Sequence, residues 1–151
     1  MAYRIFVFAL FAVAAALTSL GTHHTAAAIT LPPDREAARF ARCSGPVRVN
    51  CVVDGDTFWY RGAKIRIADI NAPETSEPHC AAEARLGARA TRRLVELLSA
   101  GAFTLEPADR ARDSYGRRLF TVTRGGASLG ALLEAEGLAE HWRGYRGDWC
   151  S

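Results

Sequence analysis

VVDGDTFWYRGAKIRIADI, residues 52–70, is where the chain declares its architecture. A strand alternates its side chains between two faces and favours β-branched and aromatic residues that fit a half-buried pleat. Thr57 to Tyr60 has that chemistry, and Ala63 to Ile70 alternates around Ile65, Ile67 and Ile70. Just upstream, Val47 to Val53 supplies a third such run. The runs are separated by Asp54-Gly55-Asp56 and by Arg61-Gly62, each with a glycine suited to the positive φ of a tight hairpin. A three-stranded antiparallel meander is expected.

Beyond Pro73 the period changes. Pro78 suits the first turn of a helix, and Leu86, Ala90, Leu94, Leu97 and Leu98 recur at helical spacing up to Gly101. Arg85, Arg89, Arg92 and Glu96 then form its solvated face. Phe103 to Leu105 and Leu119 to Thr123 read as two further strands flanking a polar loop, and Ser128 can cap a helix through Leu133 that stops at Gly137. The order βββαββα defines an α+β class. More narrowly, it suits a five-stranded Greek-key barrel of the oligonucleotide/oligosaccharide-binding (OB) kind with two or three helices.

The ends of the chain add context. Of its 151 residues, 49% are hydrophobic and 23% charged, which excludes disordered and fibrous classes and leaves room for one domain. Arg4, the apolar run Ile5 to Gly21 and the small residues Ala26-Ala27-Ala28 form an export signal over 1–28, with cleavage expected near Ala28. Left uncleaved, the same run is close to the length of a membrane anchor. Residues 29–42, with Pro32-Pro33, read as an arm, and 43–151 as the domain. The protein is thus expected to be secreted or periplasmic, or membrane-anchored if the signal is retained.

Export makes disulfides the natural state of Cys43, Cys51, Cys80 and Cys150. Three pairings are open to four cysteines. Cys43 with Cys51, pinning the arm, and Cys80 with Cys150, tying the tail to the central helix, is the pairing we expect. Charge is less telling: 19 basic against 16 acidic residues give a net charge of +3, and 18 of the basic residues are arginine, which codon usage explains as readily as phosphate recognition.

The chemistry rests on a combination. Asp54 and Asp56 put two carboxylates on one turn, as a hard cation such as Ca²⁺ requires, although an acidic hairpin turn needs no such role. The period of two sends Arg66 to the face opposite Ile65 and Ile67. Glu74 follows Pro73, which stiffens the backbone that carries it. Asp113-Ser114-Tyr115-Gly116-Arg117 sets an arginine beside an aromatic ring at the head of a strand. Each alone reads as an ordinary surface charge. Together they supply what phosphodiester hydrolysis needs: a base to deprotonate water, and cations to neutralise phosphoryl oxygens.

In VVDGDTF, KIRIADINAPET, EARLGARA, DSYGRRL and ALLEAEGLA, in that order from about Val47 to Tyr145, the chain resembles the staphylococcal nuclease-like (thermonuclease) family. The resemblance implies an OB-fold barrel and Ca²⁺-dependent cleavage of DNA or RNA to 3′-phosphates by a monomer without an obligate protein partner. It implies Arg66, Glu74 and Arg117 as catalytic residues, Tyr115 and Tyr145 as substrate-binding, and Asp56, Asn71 and Ala72 as the metal site. Two departures stand out. Asn71 occupies a position where the family often has aspartate, removing a negative charge that Asp69 is the nearest acid to offset, and Ser114 stands where lysine is common. The competing expectation is an OB-fold module that binds oligonucleotides without cleaving them.

Overall fold

The computed structural model describes residues 33–151. The expected export segment and the first four residues of the arm lie outside them. Nine short strands and two helices follow in order: β1 (Ala41–Arg42), β2 (Cys51–Val52), β3 (Thr57–Tyr60), β4 (Ala63–Ile67), β5 (Ile70–Asn71), α1 (Ala81–Ser99), β6 (Thr104–Arg112), β7 (Arg118–Arg124), β8 (Ala127–Ser128), α2 (Leu129–Ala135) and β9 (Glu140–His141). The α+β class holds.

The meander β2–β3–β4 forms in the expected order, with Trp59 opposite both Cys51 and Lys64, and Thr57 opposite Arg66, but its first strand is only Cys51–Val52 rather than Val47 to Val53, because Val47 and Val49 are exposed and pack into no sheet face. The β3–β4 turn has positive φ at Arg61 (49°) and Gly62 (78°), the geometry whose twist matches the flanking strands. Gly55 differs from expectation: its φ is not positive, and its role is space, because a Cβ there would lie 2.6 Å from the Cβ atoms of both Ala72 and Ala90. The Asp54–Asp56 turn is thereby pressed against residue 72 and α1.

Two further expected strands change length for identifiable reasons. Ala63–Ile70 breaks after Ile67: the Ala68 N–H turns to the Phe120 carbonyl, and Ile70–Asn71 pairs instead with β9. The Phe103–Leu105 run extends to Arg112 through Pro107, which is tolerated because β6 is at one end of the sheet and the ladder is irregular between Pro107 and Arg112. The sheet runs β1-β2-β3-β4-β7-β6 with β4 and β7 parallel, and β8 pairs with β7. Among the described residues no ladder closes it: β1 and β6 are its two ends, and a single bridge joins Glu36 to Phe103.

Residues expected as an arm are part of the packing. Ala41–Arg42 runs parallel to β2, the Asp34 carboxylate accepts from Thr104 Oγ1 and the Gly125 N–H, and Phe40 is buried among Phe58, Tyr60 and Phe103 at centroid distances of 5.9, 6.0 and 6.1 Å. Phe40→Ala is therefore expected to destabilise the domain by roughly 3–5 kcal/mol, as for other buried aromatics. Urea unfolding measures it, and a loss below about 1 kcal/mol would put the arm outside the cooperative unit.

The core lies between the sheet and α1, whose Ala90, Leu94, Leu97 and Leu98 are buried while Arg85, Arg89, Arg92 and Glu96 face solvent. The helix begins at Ala81, with Cys80 as its N-cap rather than with Pro78 in its first turn. The reason is Glu83, whose buried carboxylate accepts the backbone N–H groups of Glu74 and His79 and folds the preceding loop onto the helix start. Both expected disulfides form, Cys43–Cys51 and Cys80–Cys150. The second closes a loop with a sequence separation of 70 against 8, so chain entropy assigns it roughly 4 kcal/mol against about 2.5 for the first.

Candidate active site

Arg66 emerges on the outer face of β4, while Ile65 and Ile67 on either side of it are buried in the core. Its guanidinium pairs with the Asp56 carboxylate, donates to the Ile70 carbonyl at 3.2 Å and lies 5.3 Å from the centre of the Trp142 ring. Asp56 is buried. Its Oδ1 accepts from the Thr57 hydroxyl at 2.8 Å and its Oδ2 from the Ala72 N–H at 3.0 Å. Removing one partner of a buried ion pair leaves the other charge uncompensated, so Asp56 and Arg66 hold each other in place.

The Thr57 hydroxyl continues the network by accepting from Arg117 Nη1 at 3.3 Å. Arg117 is fixed from its other side by Asp113, whose carboxylate takes Nε at 2.6 Å and the Arg117 backbone N–H at 2.9 Å. Burial works to raise the Asp113 carboxyl, but the Arg117 hydrogen bonds and charge outweigh it and hold the group below the usual carboxylate range. The chain Arg66–Asp56–Thr57–Arg117–Asp113 thus locks two arginines in fixed relation. Tyr115 is exposed, with the Arg117 guanidinium 5.3 Å from its ring centre.

Glu74 approaches from the loop ahead of α1. Its N–H is held by Glu83 Oε1 at 3.2 Å and its Oε1 pairs with Arg146 Nη1 at 2.8 Å. Gly87 allows the close seating: a Cβ there would lie 2.7 Å from the carbonyl oxygens of Pro73 and Glu74. Gly→Ala inside a helix ordinarily gains about 1 kcal/mol. Here Gly87→Ala is expected to lower the melting temperature, because the obstacle is backbone rather than a flexible side chain. A rise on calorimetry would show that the Pro73–Glu74 segment yields freely.

Asp54 is half-buried beside Asp56, and burial first, then the neighbouring carboxylate, push its carboxyl up to about 8. Two oxygen donors crowded where charge is poorly solvated suit a hard cation, which competes with the proton for the same place. The other expected donors are arranged differently. Asn71 is buried and its amide donates to Glu140 Oε1 at 3.1 Å, across the β5–β9 pair, while Asp69 accepts from the Ser128 hydroxyl at 2.7 Å. Among the described residues no three His, Cys, Asp or Glu side chains group as a metal site. Asp54 and Asp56 remain as adjacent carboxylates on one turn, with Asp56 already bound to Arg66, Thr57 and the Ala72 N–H.

A pH dependence follows. The folded-state carboxyl of Asp54 is raised from 3.8 to about 8, so between those values the folded chain keeps a proton that the unfolded chain releases, and stability falls as pH rises. The slope is at most about 1.4 kcal/mol per pH unit. Asp34, Asp113 and Glu136, all lowered, act in the opposite sense and only towards acid, where their contribution is lost as pH falls. Urea unfolding in EDTA from pH 5 to 8 is expected to show a decline that Asp54→Asn flattens. Parallel curves for the two proteins would remove Asp54 as its source.

Two adjoining cavities, of about 560 and 470 Å³, share Tyr115, Arg117 and Arg146 in their walls. The larger includes Arg66 and Trp142, and the smaller includes Asp54 and Glu74. Tyr145 is exposed, stacks under Arg143 at 4.9 Å and is not among the residues lining either one. From the same tail, Trp142 lines the larger cavity and Arg146 lines both. Sequence reasoning missed both residues, although the tail HWRGYRGDWC is rich in arginine and aromatics, and the expected Cys80–Cys150 bond already tied it to the helix start below Glu74.

An α+β domain whose cleft opposes fixed arginines to carboxylates is equipped to handle phosphate esters. The chain belongs to the staphylococcal nuclease homologue family, whose model matches residues 64–148, more than half of the 151-residue chain. The match spans Arg66, Asn71, Ala72, Glu74, Tyr115, Arg117 and Tyr145, while Asp54 and Asp56 precede it. A search of curated proteins found no match. Membership suggests a nuclease or nucleic-acid-binding role.

Proposed function

We propose that this protein is a metal-dependent phosphodiesterase that cleaves DNA or RNA to 3′-phosphate products, with Glu74 as general base and Arg66 and Arg117 on the phosphoryl oxygens. The observation that carries it is the sharing of Arg117, Tyr115 and Arg146 by two cavities, one containing Arg66 and the other Glu74 and Asp54. A phosphodiester across that boundary meets an arginine on each side and a carboxylate beyond. Arg117 commits Nε and Nη1 to Asp113 and Thr57, leaving Nη2 for a phosphoryl oxygen. Tyr115 offers an exposed ring to a base.

Asp54 and Asp56 would hold Ca²⁺, which when bound neutralises phosphoryl charge. Every other requirement falls to the chain's own groups. Glu74 takes the proton from water, and Arg146, its partner, keeps the carboxylate aimed into the cleft. We further propose an exported, monomeric protein, with the signal over 1–28 and Tyr145 at the outer margin of the substrate path. The strand path β2-β3-β4-β7-β6, with β4 parallel to β7, supports an OB-type barrel closed by packing rather than by a ladder.

The test is the refolded mature chain with single-stranded DNA in Ca²⁺ and in EDTA. Cleavage that requires the cation and yields 3′-phosphates is expected, and its absence would sink the proposal. A second reading, binding without cleavage, is favoured by a departure from the family pattern, Asn71 turned to Glu140. A gel shift with the oligonucleotide intact would select it.

A further inference from the structure

Both restraints on Glu74 lead to one covalent bond. Its backbone N–H is held by Glu83, whose own N–H donates to Cys80 Sγ at 3.4 Å in the cap of α1. Its carboxylate is held by Arg146, in the same tail as Cys150. Cys80 and Cys150 are bonded to each other. The base therefore sits in a ring that the disulfide closes, running from Cys80 through Glu83 to Glu74, across the ion pair to Arg146, and along the tail to Cys150.

Little else fastens that tail. Its last ladder is β9, after which the Trp142 N–H donates to the Asp69 carbonyl. Glu140, fixed by the Asn71 amide at 3.1 Å, accepts from Arg143 Nη2 at 3.3 Å and from the Gly147 N–H, so the tail curls back on its own base. The Cys150 N–H turns to Asp148, also within the tail. Among the described residues, the one ion pair from 143–151 to the body ahead of β9 is Arg146 with Glu74. With the Arg146 side chain 55% exposed, such a pair holds weakly by itself, and the disulfide keeps its partners together. Cys150 is exposed and Cys80 half-buried, whereas the other bond has a buried member, Cys51.

We infer that Cys80–Cys150 is a redox catch on the active site. Closed, it positions Arg146 and through it the Glu74 carboxylate; opened by a dithiol, it lets the tail leave the cleft, and cleavage slows. Opening is a thiol–disulfide exchange: a thiolate of the dithiol attacks Cys150 Sγ, and the S–S bond breaks with its electron pair going to Cys80, which takes up a proton. The second thiol then displaces Cys150 as a thiol, so two electrons pass to the protein and the dithiol leaves as its own disulfide. The inference rests on the proposed role of Glu74 and adds its regulation. A chain whose cysteines are still reduced has the catch open, so export to an oxidising compartment closes it.

The experiment measures kcat on single-stranded DNA in Ca²⁺, with and without dithiothreitol, for wild type, a Cys80→Ala/Cys150→Ala variant and Arg146→Gln. Reduction is expected to lower wild-type kcat on the order of 10²-fold, the cost of misplacing a catalytic group by about 1 Å. The double variant is expected to start at the lower value and to ignore the reductant. Because the bond acts through Arg146, the reductant is expected to change kcat of Arg146→Gln by less than about twofold. A wild type indifferent to reductant, a double variant that responds as strongly as wild type, or an undiminished response in Arg146→Gln would overturn the catch. Amide hydrogen exchange separates it from the nuclease reading: reduction is expected to release the Gly147 N–H while the Leu94 and Val122 amides of the core stay protected. That release in a chain that cleaves nothing in either state keeps the catch and loses the nuclease. Cleavage with Gly147 equally protected in both states does the reverse, and core protection lost along with cleavage makes the bond a stability element and removes the catch.

Discussion

Replacing Arg117 by alanine is expected to lower kcat for phosphodiester cleavage by a factor on the order of 10³–10⁵, the loss that follows removal of an arginine from a transferring phosphoryl group. The size of the effect depends on prior positioning, since an arginine that must be ordered during the reaction returns part of its gain as lost side-chain entropy. Arg117 is already ordered by Asp113 at 2.6 Å and by Thr57 at 3.3 Å. Arg117→Lys is expected to recover little, because one ammonium cannot reach Asp113 and Thr57 and still present a free N–H to the substrate. Single-turnover rates on an oligonucleotide give the answer. A loss confined to KM, or below about tenfold in kcat, would remove Arg117 from the reacting phosphoryl group.

The parts of the fold legible in the amino-acid sequence are those in which local chemistry and tertiary packing agree. β3 matches the expected Thr57–Tyr60 run because its β-branched and aromatic residues suit a strand, and three of its four side chains are buried by the packing around them. The α1 stripe holds because its apolar spacing and its buried face coincide. The arm reads as a linker because one aromatic, Phe40, in an Ala- and Arg-rich stretch carries no period, and only the pocket formed by Phe58, Tyr60 and Phe103 makes it core. Pro107 suggests an early end to β6, which an end strand of the sheet does not obey.

Within the cleft, groups projected by a strand or by a rigid turn can be located from sequence, and groups delivered by the tail cannot. Arg66 follows from strand alternation, and Glu74 from its seat beside Pro73. Trp142 and Arg146 reach the cleft only because β9 pairs with β5 and the tail is bonded back to Cys80, both contacts between residues far apart in the chain. Asp54 is visible as an acid, but its proton depends on burial beside Asp56, which spacing does not reveal. The orientation of Asn71 depends likewise on Glu140, a residue with no motif of its own.

Glu74→Gln is expected to reduce kcat by about 10²–10⁴-fold, the usual contribution of a positioned general base, while leaving oligonucleotide affinity nearly intact. The substitution preserves volume and the capacity to accept a hydrogen bond from Arg146, and it removes only the group that can take a proton from water. The backbone restraints on Glu74, the Glu83 hydrogen bond at 3.2 Å and the contact with Gly87, do not involve the side chain and survive the change. A fall in rate without a fall in melting temperature therefore assigns the loss to chemistry rather than to folding. Partial exposure matters too: at 30% exposed, the side chain is open to the water it must activate, yet held by Arg146 at 2.8 Å. Arg146→Gln supplies the contrast, since losing the guanidinium frees the carboxylate to swing and is expected to weaken substrate binding as well as rate. If Glu74→Gln cleaves within about tenfold of wild type, proton transfer belongs elsewhere, and the half-buried Asp54 across the same cavity becomes the group to replace next.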